Sequence, residues 1–164
     1  MQENKMPYEQ LENHIKEFLK EHKSASLATC LNNVPRSSPV QYYMGEGLDI
    51  YIPSAGGQKF KAIERNPTIC LLVNTEYIDY RKIKGVQIFG RASTSLEYKG
   101  LIEEAKKYIS HAHLLEEEKL QVIKIIPEEI IYLDSIDKGE RIKQVLNIQD
   151  KLVDIREEHM PVLL

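Results

Sequence analysis

The chain has 164 residues, with 22 Lys and Arg against 25 Asp and Glu and a net charge of −3; a chain of this size suits one domain that buries about 70% of its unfolded surface. So even a balance provides no global field for nucleic acid or an anionic membrane, and any anion site has to be local. The N-terminal stretch MQENKMPYEQLENHIKEF is charged throughout and no apolar run approaches the roughly 18 residues of a membrane span, which argues against secretion and insertion and leaves the cytoplasm as the expected location.

Residues 8–22 place Leu11, Ile15, Phe18 and Leu19 at helical spacing, with acids early and Lys20 late. That predicts an amphipathic helix with one face on a sheet, His14 and His22 lying on its solvent side. Residues 24–31 read as a strand, and Asn32-Asn33 as a turn, because Asn tolerates positive φ. Ala25, Ser26 and Ala28 are small enough to let a ligand or a helix lie close, and tight core packing explains them equally well. Cys30 and Cys70 sit in apolar strand-like runs without a CxxC or a neighbouring His, so both are expected to be buried thiols, as suits a reducing compartment.

Residues 35–44 have strand composition, yet Pro39 cannot donate to a ladder, which confines the run to an edge or a bulge. The Gly45-Glu46-Gly47 turn then predicts an antiparallel hairpin with residues 48–53, setting Arg36, Ser37 and Ser38 across from Ile52, Pro53 and Ser54. Next, Ser54-Ala55-Gly56-Gly57-Gln58-Lys59 forms a small-residue loop whose backbone N–H groups can approach a ligand, and it feeds a helix over residues 59–65. A helix start, a lysine, an arginine and hydroxyls at one place favour a phosphate.

After Asn66-Pro67, residues 69–73 (ICLLV) form a continuous apolar run, expected to be a strand covered on both faces. Residues 74–84 read as a long connection over the sheet edge. In residues 85–94, Val86 and Ile88 alternate with Gln87 and Phe89, and Gly90 marks a bulge or a close approach. Tyr98, Leu101, Ile102, Ala105, Tyr108 and Ile109 predict a second amphipathic helix over residues 97–111. His111 and His113 near its end have no evident carboxylate or thiol beside them, so no metal site is expected. Residues 121–126 and 129–133 read as strand segments hinged at Pro127. Residues 135–164 are charged, and Ile142, Val145, Leu146, Ile148, Leu152 and Ile155 predict one or two short helices packed on the barrel or on a partner.

RSSPV, then IYIPS, then GGQKFKAIERNP and GVQIFGRA, in that order and spacing, resemble the pyridoxamine 5'-phosphate oxidase-like split-barrel flavoproteins, which bind flavin mononucleotide (FMN) across a homodimer interface; the likeness spans roughly residues 8–134. It implies a mainly β fold with helices, a six- to seven-stranded antiparallel split β-barrel over residues 1–134 carrying a C-terminal extension over residues 135–164. It also implies flavin contacts from Arg36, Ser37, Ser38, Pro39, Val40, Gln41, Ile52, Pro53, Ser54, Gln58, Lys59 and Gln87. Backbone atoms of residues 38–40 would run along the polar edge of the ring, with Lys59, Arg36, Ser54 and Gln58 at the phosphate.

The chain departs from the longer pyridoxamine phosphate oxidising members. They carry an arginine where it has Gln58, a glutamine where it has Gly85, and a C-terminal arginine and histidine pair that residues 135–164 do not match. The resemblance therefore implies a small member, not a pyridoxal phosphate synthase: a homodimeric FMN-dependent oxidoreductase of an unassigned small molecule, with no catalytic acid or base legible. Two alternatives stand beside it. One is a haem or deazaflavin binder, with His111 or His113 as an axial ligand; the other is a non-catalytic flavin-binding module that uses its tail as a partner surface.

Overall fold

Alternating buried and exposed side chains organise most of the chain into one antiparallel sheet. The computed structural model describes residues 5–136 and 141–157, with elements α1 (Tyr8–Glu21), β1 (Ser24–Leu31), β2 (Val34–Gln41), β3 (Tyr43–Met44), β4 (Ile50–Ser54), α2 (Gln58–Arg65), β5 (Thr68–Asn74), β6 (Lys84–Thr94), α3 (Leu101–Ala105), α4 (His113–Glu117), β7 (Gln121–Asp134), β8 (Ile142–Asn147) and β9 (Leu152–Glu157). Strand order is β2-β1-β5-β6-β7-β4-β3, with β8 added to β7 and β9 to β8. Seven strands, β1–β7, lie within residues 1–134, as expected of the barrel, and among the described residues the C-terminal extension adds β8 and β9. The fold is the mainly β, split-barrel type, and its ladder stays open.

The two halves of β7 explain the split. Residues 121–125 pair with β4 and residues 129–133 pair with β8, so one strand edge serves two branches. The interior is filled by Leu27, Ile52, Leu71, Ile88, Ile125 and Ile130 from the strands, Phe60 and Ile63 from α2, and Leu11, Ile15, Phe18 and Leu19 from α1. Leu11, Ile15 and Leu19 are wholly inaccessible to solvent; burial of each such side chain stabilises by about 1.5–3 kcal/mol. His14 and His22 are half-buried rather than solvent-facing, each ring nitrogen Nδ1 lying 2.8 Å from the carbonyl four residues earlier.

Several expectations are corrected. β2 pairs with β1, not β4, so Arg36, Ser37 and Ser38 lie opposite Thr29, Ala28 and Leu27. The reason is the turn: Asn32 (φ 51°) and Asn33 (φ 62°) make a two-residue connection with both residues left-handed, the hairpin geometry that matches strand twist. The Gly45-Glu46-Gly47 turn joins only β3 to β4. The long helix over residues 97–111 shortens to α3, because beyond Lys106 three-residue bonds (Lys107 N to Glu104 O, Tyr108 N to Ala105 O) interrupt the four-residue ladder and His111 leaves at φ 60°.

The C-terminal extension is a hairpin of strands where helices were expected. The free edge of β7 offers backbone partners to β8, and Val145, Leu146 and Val153 are buried by the pairing. Residues 137–140 and 158–164 of that extension lie outside the described residues. β5 is covered on one face only: Ile69, Leu71 and Val73 are buried, while Leu72 is 37% exposed and Cys70 half-buried. Cys30 is likewise half-buried, and both thiols are free.

Candidate functional site

β2 is an end strand of the sheet, and among the described residues its second edge has no ladder partner. Directly opposed residues of an antiparallel pair share a face. Arg36 and Ser38, opposite Thr29 and Leu27, therefore lie on the barrel side with the buried residues of β1, and Val40, opposite Ala25, is itself buried. Ser37, Pro39 and Gln41 take the outer face and are exposed. α2 packs on the same barrel side, with Phe60 and Ile63 sharing a core with Leu27 and Asn66 Nδ2 donating to Cys30 O at 2.9 Å.

Between β2 and β3 the chain bends at Tyr42, whose N–H still bonds Lys23 O while Tyr43 already pairs with Tyr51 of β4. The bend brings β2 and β4 close without joining them by a ladder. This seam is where the sheet fails to close. Since β3 continues β2 and runs antiparallel to β4, moving back from Gln41 to Arg36 is moving forward along β4 to Ser54 and the loop beyond. Ile52, Pro53 and Ser54 lie past the last β3 partner, so that backbone edge is unpaired; the Ile52 side chain itself is wholly in the core.

The loop after β4 is built for close approach. Gly56 (φ 122°) and Gly57 (φ 113°) hold left-handed backbone that side chains resist. Ser54 Oγ lies 3.4 Å from Gly56 N, and Lys59 Nζ donates to Gly56 O at 3.1 Å. α2 begins without a side-chain cap and without an acid in its first turn, which leaves N–H groups and a positive dipole end to an anion. Neither Lys59 nor Arg36 pairs with a carboxylate among the described residues. Gln58 is exposed on the first turn of α2.

Gln87 is not brought to this seam. β1 and β5 separate β6 from β2, and Gln87 instead lines a groove of about 340 Å³ on the outer face with Leu72, Tyr77, Gly85, Arg141 and Lys143.

A polar cluster beneath the seam went unread in the sequence. Tyr51, opposite Lys124 in the β4–β7 register, donates from its hydroxyl to Glu104 Oε1 at 2.8 Å, and Lys124 Nζ lies 2.6 Å from the same oxygen and 3.9 Å from Asp49. Tyr108 stacks on Tyr51 at 5.1 Å between centroids. The cluster fastens α3 to β4 and β7. The hydrogen bond from Lys124 holds the Glu104 carboxyl low, while burial, then the Glu104 hydrogen bond, pushes Tyr51 up to about 12. Between pH 10 and 12 the folded chain therefore holds a proton at Tyr51 that the unfolded chain releases. That contribution to stability is intact below pH 10 and is lost as pH rises towards 12. The urea midpoint should fall over that interval, and Tyr51→Phe should flatten the fall; an unchanged slope in the variant would contradict the assignment.

The family model for pyridoxamine 5'-phosphate oxidase matches residues 11–134. Among solved structures, a candidate pyridoxamine 5'-phosphate oxidase of Listeria innocua is 26% identical with a TM-score of 0.53, covering 75% of this chain and 98% of its own. A FAD-binding protein of Mesorhizobium loti is 18% identical (TM-score 0.57; 72% of this chain, 88% of that one). The heme storage protein HutZ of Vibrio cholerae is 20% identical (TM-score 0.55; 72% and 90%). At those last two identities the likeness is one of fold. No curated protein matches the sequence.

Proposed function

Because the chain belongs to the pyridoxamine 5'-phosphate oxidase family, we propose that it is a flavoprotein that holds FMN in the seam between β2 and β4, in a site shared by two copies, and acts on a small molecule as an oxidoreductase. The observation that carries this reading is the β4–α2 loop. An uncapped helix start, two left-handed glycines and the carboxylate-free Lys59 sit at the end of an unpaired backbone edge, on the side of the sheet where Arg36 lies.

These residues fit the group. Lys59, Ser54, Gln58 and the first N–H groups of α2 would hold the phosphate, with Arg36 adding a planar fork. The unpaired edges of residues 38–41 and 52–53 would hold the ring system, and Gln87 of a second copy would reach it from the outer sheet face. When bound, FMN supplies the electron and hydride transfer. The protein's part is to fix its orientation and to shield one face.

The absorbance spectrum of the purified protein, with mass identification of what denaturation releases, tests the reading. Lys59→Ala removes one charge-assisted hydrogen bond, worth about 1.5–3 kcal/mol, so FMN affinity should drop by roughly 10- to 100-fold. A Soret band in place of flavin absorbance would assign the site to haem, as in the HutZ likeness. Flavin retained at full affinity by Lys59→Ala would remove the phosphate from this loop. Oxidation of reduced nicotinamide cofactor no faster than free flavin permits, across acceptors, would reduce the proposal to a non-catalytic flavin module.

A further inference from the structure

A cleft of about 380 Å³ opens at the C-terminal end of α1, lined among others by Lys20, His22, Lys23, Gln41, Tyr43 and His111, and its volume lies in the range of roughly 300–1,000 Å³ typical of ligand pockets. We propose that it binds a small molecule through an oxyanion, a phosphate or carboxylate group. Every charged side chain lining it is basic. Neither Lys20 nor Lys23 has a carboxylate partner among the described residues, whereas Lys16, Lys106 and Lys124 each pair with a glutamate. Clustered like charges without a counter-ion repel one another, and a bound anion relieves that repulsion.

Attraction to the negative end of α1 accounts for Lys20 and His22. It does not account for Lys23, on the α1–β1 link, or for His111, which a separate turn delivers at φ 60°. Nor do the helix carbonyls stand against an anion, because two are already occupied. His22 Nδ1 lies 2.8 Å from Phe18 O, and the Tyr42 hydroxyl donates to Leu19 O at 2.5 Å. The His22 ring keeps its Nε2 for a ligand, Gln41 adds an amide donor, and Tyr43 with Met44 gives an apolar wall for the body of the molecule. The cleft shares only Gln41 with the residues given to the flavin, shares none with the Ser54–Lys59 loop, and does not rest on the flavin reading.

Calorimetric titration of the full-length protein with inorganic pyrophosphate tests the proposal, with the ring-proton resonances of His22 and His111 followed in parallel. Lys20 and Lys23 are exposed, so the double variant Lys20→Gln/Lys23→Gln should keep the wild-type thermal midpoint and weaken binding at least tenfold. His111→Gln should weaken it separately. Lys61→Gln, an exposed lysine of α2, should leave it unchanged. Absence of binding, unshifted histidine resonances, or affinity untouched by the double variant would overturn the proposal. Binding abolished by Lys59→Ala alone would place the anion in the β4–α2 loop and overturn it equally.

Discussion

Gly90→Val should leave the protein unfolded or insoluble, and Gly90→Ala should lower its stability by about 2–3 kcal/mol, the upper part of the range for overpacking a filled interior. A Cβ at Gly90 would stand 2.3 Å from Ile126 O, 2.9 Å from Pro127 Cα and 3.0 Å from the Ile126 carbonyl carbon. All three are backbone atoms of β7, so no side-chain rotation relieves the clash. The position also coincides with the register shift in the β6–β7 ladder, where Gly90 opposes Pro127, and Ile88 and Ala92 on either side face the core. Moving β7 to make room would disturb both branches that hang on it. Since whole domains are stable by only about 5–15 kcal/mol, valine's further bulk should exceed what the fold tolerates. Gly100→Ala is the matched control, as nothing lies within 4 Å of its Cβ, and should stay within about 0.5 kcal/mol of the parent. Urea midpoints read all three; a wild-type midpoint for Gly90→Ala would show that the bulge can open.

That close approach was legible in the sequence, and the reason separates what could be read from what could not. Gly90 and Pro127 are local breaks in otherwise apolar strand patterns, and each announces its own irregularity; only the ladder shows that they face each other. α1, β1, α2, β5 and β6 follow from periodicity within a few residues. The partner of β2 did not, because two turns competed for it and the difference lay in backbone handedness at Asn32 and Asn33. Residues 142–155 fit a helical period and a strand alternation alike, and the free edge of β7, distant in sequence, decided between them. For the candidate site, the residue types were legible at Arg36, Ser54 and Lys59. Their arrangement around a seam depends on which neighbour each strand takes. The Tyr51, Glu104 and Lys124 cluster depends on the β4–β7 register and was therefore invisible.

On the proposed two-copy flavin site, Leu72→Asp should give a 19.0 kDa monomer and release flavin with it. Leu72 projects from the outer face of the sheet between Ser26 and Gln87, where α1 and α2 give no cover, and it shares 37% exposure with Phe89 on the neighbouring strand. An apolar strand with one uncovered face is what a second copy would bury, and stable interfaces of this kind remove about 1,200–2,000 Å² from water. A two-fold contact uses the same patch twice, so one substitution introduces two buried carboxylates. Each unpaired buried charge costs several kcal/mol, which together should weaken association by more than about 1,000-fold. Leu114→Asp, equally exposed at 37% but on α4 rather than on β5 or β6, should leave the proposed dimer intact. Light scattering distinguishes the two variants. The flavin prediction follows from the proposed shared site, in which Gln87, two strands removed from β2 in the ladder, contributes from the other copy. A Leu72→Asp monomer that keeps FMN at wild-type affinity would therefore separate dimerisation from cofactor binding, and confine the site to residues of a single chain.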